Sequence, residues 1–347
     1  MRHTLRAGIA GAALLALLTT GCAGENSGDE VTVYSADGLK YQSGDGFYDR
    51  AFKKFEEETG IKVNYVEGGS GEVVQRLTRE RNNTKADVLL TLPPFIQQAQ
   101  SRGLLDAYRP AGWEKIDDSD KDADGMWTAV VKNYFCFIYN TEELDAPPET
   151  WQDLLDSSYK GRFQYSTPGV AGDGTAVVIK SMHDFGGLEP AMDYLKKLQV
   201  NNVGPSASTG ALVPKVDKGE LLVSNSDVQM SFANREAMPN QDIFFPAMEG
   251  KAPTTFSLPY AGGLVKGGPQ QENAQKLLDY LVSPEAQKMI SDAGGGFPSR
   301  TDVTPEGEYA ERARKALDGV EIFTPDWQTI DKELDSYLEA WREATGS

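Results

Sequence analysis

The feature that most constrains this chain is an alternation of short apolar runs with helical spacings over residues 31–103. Val31-Thr32-Val33-Tyr34 is β-branched and aromatic, as a strand core requires. Phe47, Ala51, Phe52 and Phe55 then recur at helical spacing, and Gly60 can end that helix. Ile61, Val63 and Tyr65 alternate as a strand, and Val73, Val74 and Leu77 mark a second helix. Residues 86–92 form a continuous apolar run interrupted by Asp87, which fits a parallel strand buried on both faces. Pro94 opens a third helix that Gly103 closes. This β-α-β-α-β-α order predicts a doubly wound parallel sheet.

A second unit follows. Residues 127–139 are aromatic and β-branched and predict strands crossing between two lobes. Thr150 can cap a helix from Trp151, and residues 163–166 read as a strand leading through a glycine-rich loop into a helix from about Thr175. A helix at 211–218 and strands at 221–224 and 243–245 complete this unit. From Thr255 the chain returns to the first lobe, with helices over 273–281, 284–293 and 327–344. The expected fold class is therefore α/β: two doubly wound lobes joined by crossing strands, with a ligand cleft between them. Lobe 1 takes residues 31–130 and 255–347, and lobe 2 takes 131–254.

The N-terminus reads as an export signal. Arg2 and Arg6 precede a short apolar stretch, residues 7–18, and then Leu18-Thr19-Thr20-Gly21-Cys22. The stretch is shorter than the roughly 20 apolar residues a membrane span needs. Small residues before Cys22 suit lipid attachment to its thiol, although Thr19 stands where such signals usually carry Leu. Plain secretion with an incidental cysteine is the alternative. The expectation is a signal peptide over 1–21, a tether over 22–30, and a mature protein lipid-anchored at the outer face of the cell membrane (the periplasmic side if an outer membrane is present). Cys136 is then the one remaining cysteine, so no internal disulfide can form, and it reads as a buried small hydrophobe. Removing a leader with Arg2 and Arg6 takes the net charge from −18 to −20. That argues against nucleic acid or anionic lipid as partners.

Ligands of such sheets sit beyond the carboxyl ends of the strands. In lobe 1 the first strand runs into Ala36-Asp37-Gly38, the second into Ser70-Gly71-Glu72, and the third ends at Thr91. In lobe 2 the corresponding loop runs from Thr167 to Gly172-Asp173-Gly174-Thr175. Free amides and the positive dipole end at a helix start attract an anion, glycine permits close approach, and hydroxyls add donors. Neither glycine-rich loop carries lysine or arginine. Both also read as ordinary turns and caps. The carboxylates Asp37, Glu72, Asp173 and Asp227 suit a ligand bearing an ammonium beside its anionic head. Each is equally readable as a helix cap. Asn225-Ser226-Asp227 is a further loop candidate, and Tyr260 is read either as a cleft cover or as hinge packing.

Asp120-Lys121-Asp122-Ala123-Asp124-Gly125 copies the start of a calcium loop, but the closing acidic position falls on Val131, so an acidic turn is the better reading. No Gly-x-Ser-x-Gly elbow, phosphate-binding Walker loop, His-x-x-x-His pair or CxxC is present, and His183 is the one histidine beyond the leader. The sequence therefore points to neither enzyme nor cofactor, and no metal site is expected.

The assembled motifs resemble the 2-aminoethylphosphonate-binding proteins of ABC importers, within the wider group of two-lobed periplasmic-binding-protein-like solute binders that includes ferric-ion and thiamine carriers. The segments that carry the resemblance are VTVYSADG (31–38), YVEGGSGEVVQR (65–76), ADVLLTLPPFIQ (86–97), YSTPGVAGDGTA (165–176) and VSNSDVQMS (223–231), while LLDYLVSPEAQ (277–287) matches the wider group. The resemblance implies a monomeric closed-cleft binder, a small phosphonate ligand and an ABC permease as partner. It implies a phosphonate resting around Ser70, Gly71, Thr167 and Gly172–Thr175, with Asp37, Glu72 and Asp227 meeting the ammonium. The alternative is another small anion, or ferric iron with an anion. Adjacent tyrosines of iron carriers have no counterpart here.

Overall fold

The computed structural model describes residues 29–40, 44–233, 235–292 and 296–347. The leader and most of the tether, with Cys22, lie outside the described residues.

In chain order the strands are β1 (Glu30–Ala36), β2 (Lys62–Gly68), β3 (Val88–Thr91), β4 (Leu105–Asp106), β5 (Thr128–Lys132), β6 (Phe135–Asn140), β7 (Phe163–Gln164), β8 (Val223–Asp227), β9 (Gln241–Phe244), β10 (Thr254–Phe256), β11 (Tyr260–Val265), β12 (Phe297–Pro298) and β13 (Glu321–Phe323). The α-helices are α1 (Phe47–Thr59), α2 (Ser70–Glu80), α3 (Phe95–Ser101), α4 (Gly172–Phe185), α5 (Leu188–Leu198), α6 (Val213–Asp217), α7 (Val228–Ala233), α8 (Gln271–Leu281), α9 (Pro284–Asp292), α10 (Glu308–Ala316) and α11 (Trp327–Thr345).

The first sheet has the order β12-β5-β11-β3-β1-β2, with β4 also paired to β11. Its β2-β1-β3 part is parallel, and β11, β5 and β12 join antiparallel. Alternation along the strands sends Val31, Val33, Val88 and Leu90 to a core with Phe47, Phe52 and Phe55 of α1 and Leu277 and Leu281 of α8. Tyr34 and Leu89 face the opposite core, with Val74 and Leu77 of α2 and Phe95 and Ile96 of α3. Helices on both faces follow from strands that are apolar on both faces. The second sheet, β7-β8-β6-β9, is the core of the second lobe.

The two lobes share crossing segments. β5 passes through Asn133 into β6, and β10 passes through residues 257–259 into β11. Asn133 ties these crossings together: its carbonyl accepts from Leu258 N (2.9 Å) and its Oδ1 from Gln229 N (3.0 Å). The terminal helix α11 packs against α3 of the first lobe and α5 of the second. Its Trp341 indole donates to the Tyr165 hydroxyl (3.0 Å), just before the cleft loop of the second lobe.

Several local expectations shift. Thr150 and Trp151 begin no α-helix; a short 3-10 turn, Asp153–Leu155, stands there, and Thr150 N and Glu149 N both bond to Asp153 Oδ2. The helix expected at 211–218 is the five-residue α6, with Pro214 in its first turn. The strand expected at 221–224 runs instead from Val223 through Asp227, because β6 pairs with it out to Phe135↔Asp227. Asn225, Ser226 and Asp227 are therefore strand residues, not a loop. Among the described residues no helix is long and apolar enough to cross a membrane.

Candidate functional site

β1 ends at Ala36, which is buried, and the chain turns with Asp37 N donating to Gly68 O (3.2 Å). The Asp37 carboxylate reaches the second lobe: Oδ2 accepts from the Ser208 hydroxyl (2.5 Å) and from Gly210 N (3.1 Å). Gly38 follows at φ +116°, a backbone region that side chains rarely adopt, and a Cβ there would collide with the Tyr260 hydroxyl. Tyr260 opens β11 and is fully buried. Its hydroxyl lies 3.2 Å from Asp37 O and 3.1 Å from Asp227 Oδ2. One hydroxyl hydrogen serves one of these acceptors at a time. Asp227 closes β8, and its Oδ1 accepts from Met230 N (2.6 Å) in the turn into α7.

The starts of α2 and α4 touch across the cleft. Gly71 N donates to Val170 O (2.9 Å), and a Cβ on Gly71 would collide with Gly169 O. The expected gap between the two glycine-rich loops is thus closed by direct contact, and the Gly71 amide is already engaged. Ser70 sits beside the other helix start: its Oγ is 2.7 Å from where a Cβ on Gly172 would be. Ser70 is 1% exposed and its hydroxyl has no partner, while its carbonyl accepts from Thr91 Oγ1 (3.3 Å). Gly172, Asp173 and Gly174 form the buried first turn of α4.

Other predicted residues hold the loops. Thr167 Oγ1 accepts from Ser206 N (3.0 Å). Thr175 Oγ1 accepts from Gly169 N (2.9 Å) and donates to Ala171 O (3.1 Å). Asn225 Oδ1 accepts from Ser166 N (2.8 Å) while its Nδ2 donates to Ser166 Oγ (3.0 Å). Glu72 is exposed and accepts from Gly69 N (3.3 Å), so it caps its own helix and stands apart from the buried acids.

Three acids remain at the centre. Asp173 is 2% exposed and Asp227 0%. Ser208 and Gly210 hold Asp37, and Thr209 between them is buried with its hydroxyl 2.9 Å from Ser166 Oγ. Among the described residues none of the three lies within ion-pair distance of lysine, arginine or histidine. The internal segments not described, 41–43, 234 and 293–295, carry none of those residue types. Desolvation raises the Asp37 acid despite its two bonds. It raises Asp173 well above the usual carboxylate range, and the charges of Asp227 and Asp37 add to that rise. Burial pushes Asp227 up to about 6, against the opposing bonds from Met230 N and the Tyr260 hydroxyl. Cys136 is buried behind them, and desolvation with the Asp227 and Asp173 charges pushes its thiol up. A thiol held neutral in this way is no nucleophile.

Among the described residues no three His, Cys, Asp or Glu side chains converge to hold a metal ion. His183 stacks on Phe323 (3.6 Å between centroids) at the far end of α4. In the acidic turn, Asp122 Oδ2 accepts from Asp124 N and Met126 N, and Asp120 is buried against Lys132 Nζ (2.7 Å).

Ser208, Thr209 and Gly210 are site residues that strand-end reasoning misses. A signal for them exists, since Ser206-Ala207-Ser208-Thr209-Gly210 has the same hydroxyl and glycine make-up as the other loops. The segment follows a helix rather than a strand, so a search restricted to strand ends passes over it.

Two sheet-based lobes closed on a buried polar site define a solute-binding architecture, and the comparisons agree. Residues 50–316 match the family model described as bacterial extracellular solute-binding protein, and this chain belongs to that family. A Salmonella paratyphi A protein named "Putative 2-aminoethylphosphonate-binding periplasmic protein" is 45% identical over 335 residues, covering 96% of this chain and 98% of that protein. Iron uptake protein A1 of a Synechocystis species is 28% identical over 74% of this chain and 76% of its own. Among solved structures, the periplasmic binding protein AfuA of Actinobacillus pleuropneumoniae, with fructose-6-phosphate bound, superposes with TM-score 0.78 at 21% identity, over 92% of this chain and 99% of that one. At that identity the last likeness speaks for the fold alone.

Proposed function

We propose that this protein captures 2-aminoethylphosphonate, or a close organophosphonate, outside the cytoplasm and presents the closed complex to an ABC permease. The observation that carries the reading is a cluster of three acids, Asp173 and Asp227 buried and Asp37 half-buried, without a cationic partner among the described residues, set beside a helix start with an unpartnered serine hydroxyl. A ligand with an ammonium answers Asp37 and Asp227, and its oxyanion answers Ser70 Oγ and the first amides of α4. Inorganic phosphate offers no cation, and burying it against the acids is unfavourable. The 45% identity to the Salmonella protein supports the same ligand class.

In this reading the lobes move about the crossings at Asn133 and Leu258, and the contacts Gly71–Val170 and Asp37–Ser208 form on closing. The protein binds its ligand unchanged, acts as a monomer, and is held at the extracytoplasmic face of the cell membrane through Cys22. Calorimetry on the mature protein tests the ligand. The expected result is tight binding of 2-aminoethylphosphonate and far weaker binding of inorganic phosphate and ethylphosphonate. Equal binding of phosphate would sink the ammonium argument.

A further inference from the structure

Of the three central acids, Asp173 is placed differently from the others. Both oxygens of Asp227 have donors, Met230 N and the Tyr260 hydroxyl. Asp37 has two donors, Ser208 Oγ and Gly210 N. Asp173 is buried, and its Oδ1 has no hydrogen-bond partner among the described residues. A carboxylate oxygen is acceptor-only, and leaving one buried and unpaired is unfavourable; a carboxylic acid oxygen carries a hydrogen to give. Asp173 is also the second residue of α4, at the helix end where an oxyanion is attracted. Its neighbour Gly172 lies against the unpartnered Ser70 hydroxyl.

The titratable groups around Asp173 are nearly all acidic or neutral. They are Asp227 from β8, Asp37 from the turn after β1, Tyr260 from β11 and the buried Cys136 from β6. Glu72 on α2 is exposed and turned to its own N-cap. The basic groups of α4 lie about two turns or more away, with Lys180 paired to Asp184. The dipole of α4 favours the charged form. Two neighbouring carboxylates and full burial oppose it, and these raise the acid.

We propose that Asp173 is carried as the neutral acid in the ligand-loaded protein and donates its hydrogen to an oxygen of the phosphonate. This rests on the ligand class proposed above. In the open cleft Asp173 is solvated and ionised at neutral pH. On closure it takes one proton from solvent, its carboxylate becoming the acid, and the O–H then points at the oxyanion. Asp37 and Asp227 keep the ammonium. The site thus reads an anion with an acid instead of an arginine, and each ligand captured brings in one proton.

Calorimetry of 2-aminoethylphosphonate binding, run at one pH above 7 in two buffers of different ionisation enthalpy, measures that proton. The expected result is uptake of about one proton and an affinity that weakens by up to about tenfold per pH unit as pH rises. Asp173→Asn has no carboxylate to protonate, so whatever binding remains should show the uptake and the pH dependence lost. An infrared difference spectrum of the wild-type protein should gain a carboxylic acid carbonyl band on ligand addition, a readout that needs no variant. Binding without proton uptake would overturn the proposal, as would uptake that persists in Asp173→Asn or a spectrum lacking the acid band. If the wild-type protein binds no aminophosphonate, the ligand assignment itself fails, which the same titration shows directly.

Discussion

Replacing Asp227 with asparagine should make the empty protein more stable and the binder worse. Burial lifts the Asp227 acid from 3.8 to about 6. The folded state therefore holds this proton more tightly than the unfolded chain. The sign follows: below about pH 4 both states are protonated and nothing is lost, stability falls as pH rises toward 6, and the full cost is present at pH 7. A shift of this size corresponds to roughly 3 kcal/mol. In Asp227→Asn the new side chain is neutral, its amide oxygen can still accept from Met230 N, and its amide nitrogen can donate to the Tyr260 hydroxyl. Melting of the ligand-free protein at pH 7 should rise by about 4 °C, given an unfolding entropy of this chain's size. The fall in stability between pH 4 and 6 should flatten. The same change removes a charge-assisted bond to an ammonium, worth about 1.5–3 kcal/mol, so the Kd for 2-aminoethylphosphonate should rise roughly 10- to 150-fold. Ethylphosphonate should be little affected. Differential scanning calorimetry over a pH series and ligand titration read these outcomes. A destabilised variant with unaltered pH dependence would refute the burial argument, and equal losses for both phosphonates would refute the role given to Asp227.

Three further outcomes follow from the geometry. Gly71→Ala drives a Cβ into Gly169 O and should hold the lobes apart, weakening ligand binding with little effect on melting; small-angle scattering should report a larger radius with ligand present. Tyr260→Phe removes the hydroxyl shared between Asp37 O and Asp227 Oδ2 and should weaken ligand binding about 2- to 10-fold, the scale of one hydrogen bond, as titration would show. Cys22→Ala should release the exported protein from the membrane fraction, and retention there would contradict lipid anchoring at that thiol.

The layering of the first lobe is legible in the residue order alone. Val31, Val33, Val88 and Leu90 alternate with Tyr34 and Leu89, and a strand period of 2 sends each set to one face. Helices from Phe47 and Ser70 and the terminal helix from Trp327 are equally legible, because apolar spacing, Gly60 and the glycine-rich starts are local signals. Asp37, Ser70 and Asp173 stand at strand ends and helix starts that the residue order marks, and Tyr260 stands in the returning segment Leu258-Pro259-Tyr260. How these residues meet is a matter of packing. That Asn225 and Asp227 lie within a strand depends on pairing with β6, whose residues are about 90 positions earlier. That Ser208 and Gly210 hold Asp37 depends on closure across 171 and 173 residues of chain. Glu72 and Asp173 look alike in sequence, each near a glycine at a helix start. One is exposed and caps its helix, and the other is buried among acids. Burial and long-range pairing are properties of the packed chain, so no local pattern could separate these two.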